Sequence, residues 1–300
     1  MRIVVLGYIV RGPIGGMAWH HLQYLLGLRQ LGHEVLLVED SDDYASCYDP
    51  NLHQMSTDAR YGLDFTHRAM TRLGMGDDWA YFDAHTNQWM GPAASRAVAC
   101  CLSADVVLNV SGVNPLRTWT ENIPARVLVD TDPVFTQIKH ITRVDAAEAA
   151  RRHTDFFTFG ELIGSPECTV PDDGFDWKPT RQPVALDQWP VPPAAADGNY
   201  TTVMQWESYD AGVHDGRRYG LKSDSFAAVW DLPSRVGVRL ELALGGESAP
   251  RRRLAEAGWT LVDPLAVTRD PWTYRDYLQN SRGEFSVAKE AYVSTWSGWF

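Results

Sequence analysis

The sequence predicts an α/β protein of two Rossmann-like, doubly wound domains, and three observations predict it. The first is the opening. Residues 2–7 (RIVVLG) are a mostly β-branched apolar run closed by glycine, the pattern of a buried parallel strand. A glycine-rich loop (8–16) leads into 17–31, where Leu22, Leu25 and Leu26 fall at helical spacing and Gly32 takes the C-terminal cap position; 34–40 is a second buried strand. Strand, glycine loop, helix, strand is the start of a doubly wound sheet, which binds ligands at the carboxyl ends of its strands. The second observation is that apolar strands recur at 105–110, 126–130 and 156–160, each giving way to small or polar residues. The third is the stretch 187–198, with Pro190, Pro192 and Pro193 followed by alanines, after which strands and helices resume.

The expected organisation is therefore a first domain at 1–186, a linker at 187–198 and a second domain at 199–300. In the first, 41–51 reads as a polar loop. A helix is expected at 61–73, on Leu63, Phe65, Ala69, Met70 and Leu73. A hairpin is expected at 79–90, and further helices at 93–102 and 146–153. In the second, strands are expected at 201–206, 239–246 and 284–287. Residues 207–220 read as a loop, and helices are expected at 223–230 (Ser223 as N-cap), 250–257 and 271–280. This second set holds fewer strands than a doubly wound half normally has, so an incomplete second domain, in a fragment of a longer protein, is the expectation.

Bulk properties bound the function. The chain has 300 residues, 45% of them hydrophobic and 22% charged, with a formal net charge of -11. That acidity argues against a nucleic-acid partner, because such proteins need a basic field. No apolar run approaches the ~20 residues of a transmembrane helix, and the apolar start breaks at Gly7, too early for a signal peptide. Cys47, Cys100, Cys101 and Cys168 show no CxxC spacing, so reduced, packing cysteines and a cytoplasmic location are expected.

If the strands are parallel, Gly15-Gly16, Glu39-Asp40, Ser111-Gly112-Asn114, Asp130-Asp132 and Gly160-Glu161 converge on one rim of the sheet; turn formation accounts for each taken singly. Neither G-x-G-x-x-G nor a P-loop is present. The backbone N–H groups of Gly15 and Gly16 at a helix N-terminus can instead hold an anion or a sugar, or the glycines serve close packing. His20 and His21 lie one turn into that helix. One of them is expected to face the cleft, as a general base on a hydroxyl, as a hydrogen-bonding partner of the substrate, or as a packing group. Arg217, Arg218 and Lys222 form the sharpest basic cluster, suited to a diphosphate leaving group without a metal, or to a solvated loop. No metal-ligand spacing stands out; Asp130 and Asp132 form a D-x-D before a proline, better suited to a turn or substrate contact.

Several stretches together resemble a bacterial group of glycosyltransferases of the GT-B fold. They are Gly7–Pro13 with Gly15-Gly16 and Trp19-His20-His21; Val129–Pro133; Arg217–Gly220 with Lys222–Phe226; and Glu284–Lys289 with Ser297–Phe300. The resemblance implies transfer of a sugar from a nucleotide-diphosphate sugar, the co-substrate, to a small-molecule or glycan acceptor, with no further cofactor. On that mapping Arg218 and Lys222 hold the diphosphate. Glu284, Ser297 and Gly298 lie near the nucleotide or donor sugar, and Gly16 approaches the donor from the other side. The acceptor belongs on the first domain, near Ser111, Asn114, Asp130 and Glu161, with His20, His21 and Asp132 as catalytic candidates. Retaining members often carry two glutamates at a longer spacing than that of Glu284 and Glu290, which leaves the stereochemistry open. Two other readings stand beside this one: a non-catalytic nucleotide- or sugar-binding homologue, and a nicotinamide-dependent oxidoreductase, against which the missing glycine fingerprint counts.

Overall fold

The computed structural model describes residues 1–193 and 197–299, so Ala194–Ala196 of the expected linker and Phe300 lie outside the described residues. The first set of elements is β1 (Arg2–Leu6), α1 (Gly15–Gln30), β2 (Glu34–Asp40), β3 (Cys47–Asp49), β4 (Gln54–Ser56), α2 (Arg60–Arg72), β5 (Trp79–Asp83), β6 (Gln88–Met90), α3 (Ala97–Leu102), β7 (Val106–Val110), β8 (Ala125–Asp130), α4 (Phe135–Thr142), α5 (Val144–Arg151), β9 (Asp155–Thr158) and β10 (Trp177–Pro179). The second is β11 (Tyr200–Gln205), β12 (Gly212–His214), β13 (Arg217–Tyr219), α6 (Lys222–Phe226), α7 (Leu232–Arg235), β14 (Leu240–Gly245), α8 (Arg251–Glu256), β15 (Thr260–Val262), α9 (Pro264–Thr268), α10 (Pro271–Gln279), β16 (Gly283–Glu284) and α11 (Glu290–Ser294).

Eight strands form one sheet in the order β10-β9-β8-β7-β1-β2-β5-β6, and four form another in the order β15-β14-β11-β16. This is the α/β class expected. All pairings in the large sheet are parallel except the β5–β6 hairpin. Register follows from apolar pairs buried on both faces, such as Ile3 beside Val35 and Val106, and Val5 beside Leu37 and Leu108. Leu22, Leu25 and Leu26 of α1 pack on this sheet with Phe65 and Met70 of α2. A separate core around Phe226, Leu242, Leu254 and Trp259 supports the small sheet.

Parallel pairing brings the carboxyl ends of β1, β2, β7, β8 and β9 to one rim. The chain leaves β1 toward β2 on one side and returns to β7 on the other, so a crevice opens at the ends of β1 and β7.

The structure departs from expectation in several places. The loop at 41–51 runs into the β3–β4 hairpin, whose Cys47 is buried against Tyr81. Helix α4 was not foreseen. The 207–220 loop is the β12–β13 hairpin, turned at Asp215 (φ 48°) and Gly216 (φ 74°), both left-handed as a type I′ turn requires. Ser223 does not cap the following helix: α6 starts one residue earlier, and the Asp224 carboxylate reaches back to the Leu221 N–H at 2.7 Å. The α-helix gives way after Phe226 to a 3-10 helix over Ala227–Val229, so the helical run reaches close to the expected residue 230.

Candidate functional site

The rim is built first by a buried carboxylate. Glu39, at the end of β2, accepts the backbone N–H groups of Ile9 (2.6 Å), Val10 (2.8 Å) and Arg11 (2.7 Å), fixing the loop after β1. The fully buried Arg11 guanidinium donates back to it at 3.3 Å and to Val113 O at 3.0 Å. Asp40 receives Arg117 at 2.9 and 3.0 Å. Both carboxylates at the end of β2 are thus consumed in holding the rim and are closed to a ligand.

Helix α1 begins at Gly15 with Ile14 at the N-cap, where no side chain caps the helix. The first N–H groups and the positive end of the dipole are therefore uncapped by the first unit. The second unit meets this end directly. A Cβ on Gly15 would lie 2.4 Å from Asp270 O, so glycine is needed for the approach of α10, whereas a Cβ on Gly16 would lie 3.4 Å from the Tyr274 ring. Trp19 Nε1 donates to Pro271 O at 2.5 Å and its ring packs against Trp189 and Trp272.

Beyond Tyr274 lie Glu284 and Lys222. Burial lowers the Lys222 ammonium from its ordinary value, with Lys289 adding repulsion and Glu284 opposing. Glu284 keeps contact with solvent, yet desolvation raises its carboxyl, the condition of a group on a cleft wall, while Lys222 pulls it down. Tyr274 is pushed up to about 12 by burial, with the Glu284 charge adding. Among the described residues no hydrogen-bonded or ion-paired partner of Lys222 is found, so its charge is available.

The units also meet at Asp132, in the loop after β8. Its Oδ1 accepts Lys289 Nζ at 2.8 Å and the Tyr292 hydroxyl, and its Oδ2 accepts the Tyr209 hydroxyl. Lys289 also donates to the Tyr209 hydroxyl and stands 4.8 Å from the Phe135 ring centre. Asp132, expected as catalytic, is a bridge between the units here. Lys289, Tyr209 and Tyr292 were not foreseen as its partners; Lys289 stands within a stretch that carried the family resemblance, which was the available signal.

The other candidates separate clearly. His20 reaches the rim, with Nε2 3.4 Å from Ser111 Oγ, which in turn meets Thr131 Oγ1 at 2.7 Å. Burial lowers His20 to about 4, far from a base poised at neutral pH. His21 is fully buried against Gly7 rather than facing the cleft. Asn114 is a structural tie, donating to Gly7 O at 2.8 Å and accepting Asp40 N–H at 2.9 Å. Asp130 is buried and filled by Thr136, Gln137, Thr158 and the Asp132 N–H, with burial raising its carboxyl. Glu161 is paired with Arg181 at 2.5 and 2.7 Å.

Arg217 and Arg218, expected on a loop gripping the donor, lie exposed on β13. Arg218 forks onto Asp224 at 2.8 and 3.1 Å, and Arg217 donates to Ser294 O and Oγ at 3.1 Å. Both side chains thus have partners within the second unit, and neither meets Lys222 or Glu284 in a hydrogen bond among the described residues. Ser297 is buried, its hydroxyl donating to Tyr292 O at 3.2 Å, and a Cβ on Gly298 (φ 81°) would lie 2.7 Å from Leu162 N. That pair fastens the chain to the first unit and does not line the cleft. Gly16, Lys222 and Glu284 are thus the donor candidates the structure gathers, joined by Tyr274.

Among the described residues no three His, Cys, Asp or Glu side chains converge as a metal set, and no helix is long and apolar enough to cross a membrane.

No family model matches the chain. No curated protein matches it either. Among solved structures it is similar to an alpha-glucosyltransferase in complex with UDP and a 13-mer DNA containing a central A:G mismatch (TM-score 0.47, 12% identity, covering 94% of this chain and 70% of that one). It is also similar to an alpha-glucosyltransferase with UDP-glucose and DNA containing an abasic site (0.42, 13%, 85% and 59%), and to an alpha-glucosyltransferase with UDP (0.41, 12%, 85% and 61%). The chain thus spans 59–70% of the length of these proteins. Two of these structures hold DNA, and the expectation of no nucleic-acid partner is corrected accordingly. The expectation rested on net charge, which is a sum over the chain and says nothing of how charge is distributed locally.

Proposed function

We propose that the chain transfers a sugar from a nucleoside diphosphate sugar to an acceptor hydroxyl in the cleft between its two α/β units. One observation carries this reading. The uncapped positive end of α1 at Gly16 faces the second unit through Tyr274, beside Glu284 and an ammonium, Lys222, that has no hydrogen-bonded or ion-paired partner among the described residues. A helix end and a lysine on opposite walls suit a diphosphate, whose negative charge grows as the sugar departs. Lys289 stands near enough to repel the Lys222 ammonium, though its own charge is paired with Asp132. Glu284 is suited to a hydroxyl of the donor sugar or ribose, as a carboxylate accepting from it. The reading needs no cofactor beyond the nucleotide sugar.

The test is a thermal-shift screen with UDP-, GDP- and dTDP-sugars against NAD(H), followed by release or transfer of a labelled sugar. A shift with one nucleotide sugar and turnover of its label are expected. Stabilisation by NAD(H) alone, or by none of them, overturns the reading; binding without turnover reduces it to a sugar-nucleotide binder.

A further inference from the structure

A second cavity, of about 150 Å³ and with mixed polar and apolar walls, lies under the same rim, between the ends of β7 and β8 and helices α4 and α5. It has room for roughly five waters at ~30 Å³ each, or for part of a sugar ring or small polyol. Asn109, Ser111, Asp130, His140 and His153 are among its walls.

The hydrogen bonding of these walls defines what they lack. Asn109 is buried, and its Nδ2 spends both protons, on Asn114 O at 2.9 Å and on His153 Nε2 at 3.1 Å. A carbonyl must receive a proton, so the Asn114 contact fixes the orientation of the amide. His153 Nδ1 lies 3.0 Å from Ala150 O, which requires the proton on Nδ1 and leaves Nε2 as the acceptor. Asn109 Oδ1 is left without a hydrogen-bond partner among the described residues. A buried acceptor of this kind is unfavourable unless something fills it.

His140 supplies the second acceptor. Its Nδ1 lies 2.8 Å from Asp173 Oδ2, and their side chains are only 7% and 1% exposed. Asp173 is itself held by Trp177 Nε1 at 2.9 Å, and the His140 ring stacks on Trp177 at 7°. With Nδ1 committed to the carboxylate, the edge of His140 left to serve the cavity is Nε2. Asp130 does not compete, because its oxygens are already filled.

We propose that this cavity binds a small sugar or polyol, whose hydroxyls donate to Asn109 Oδ1 and to His140 Nε2, the latter oriented by Asp173. Ser111, which meets His20 of α1, also lines it. The site stands apart from the reading proposed above and does not rest on it.

The experiment titrates the whole chain, labelled with 15N, with methyl α-glucoside and with glycerol. The expected result is a saturable shift of the His140 Nε2 and Asn109 side-chain resonances with at least one of them. No shift at these two groups, or shifts confined to other sites, overturns the site. Asp173→Asn, which removes the carboxylate that orients His140, should weaken the saturable titration at least tenfold while nucleotide-sugar affinity stays unchanged; unchanged polyol affinity overturns the role assigned to His140. A His140 shift in a chain that binds no sugar nucleotide would sink the transferase reading and leave the hydroxyl site standing.

Discussion

Lys289 Nζ donates to Asp132 Oδ1 at 2.8 Å across 157 residues of sequence, tying the second unit to the loop after β8. The lysine side chain is 12% exposed and the aspartate 33%, so the pair is partly shielded from water. Removing one partner strands the other charge, at a cost of about 1–3 kcal/mol. Asp132→Asn and Lys289→Met should each destabilise the chain to urea, and the double variant should lose less than their sum, with a coupling near ~1 kcal/mol. Strict additivity would show that the contact is not energetically real.

Lys222 and Arg218 were expected to act together, and the structure separates them. Lys222→Ala should weaken nucleoside diphosphate binding by about 10- to 100-fold, the equivalent of ~1.5–3 kcal/mol for a charge-assisted contact. Arg218→Ala, on an exposed side chain already forked onto Asp224, should leave affinity within about twofold. Calorimetric titration decides; equal losses in the two variants would return Arg218 to the site.

Three glycines of α1 should respond differently to alanine. Gly15→Ala drives a methyl into the Asp270 carbonyl, 2.4 Å away, and should destabilise by roughly 1–3 kcal/mol as α10 is pushed off. Gly16→Ala meets only ordinary contact at 3.4 Å, so its effect should fall on nucleotide affinity more than on melting temperature. Gly27→Ala has nothing within 4 Å and should stabilise by about 0.5–1 kcal/mol. A thermal melt of all three in parallel checks the order.

His153 is lowered to about 4, chiefly by burial, from an ordinary 6.5. The unfolded chain therefore takes up this proton first as pH falls. The stability His153 supports is complete above pH 6.5 and is lost progressively toward pH 4, by on the order of 3 kcal/mol. Urea midpoints measured from pH 7 to 4 should converge between wild type and His153→Gln as the wild type loses this contribution. A constant gap across that range would contradict the assignment.

The parallel strands were legible because burial on both faces writes them as near-continuous apolar runs, as at 3–6 and 106–108. The β12–β13 hairpin was not read: the Asp215-Gly216 turn signal stands between two three-residue strands too short to show an alternation, and the run read as a loop. Site residues were harder. Glu39 looked like a ligand-facing carboxylate because nothing in the sequence shows that three amides of the β1 loop fold over it. The pairing of Arg218 with Asp224 depends on how β13 enters α6, and that of Lys289 with Asp132 on how two separate sheets meet. Such partners are fixed by tertiary approach, which residue spacing does not encode.

The return of the chain to the first unit has a mechanical consequence. After α11, Thr295 O accepts Thr169 N–H at 2.8 Å, Ser297 O accepts Leu162 N–H at 3.1 Å, and Trp299 packs on Phe159 at 4.8 Å. The chain that leaves the first lobe after β10 is therefore fastened back onto it by residues 295–299, in addition to the Asp132–Lys289 bridge and the approach of α10 to α1. With the lobes held at several separate places, the gap should widen by loosening one of these contacts and not by free swinging of one lobe against the other.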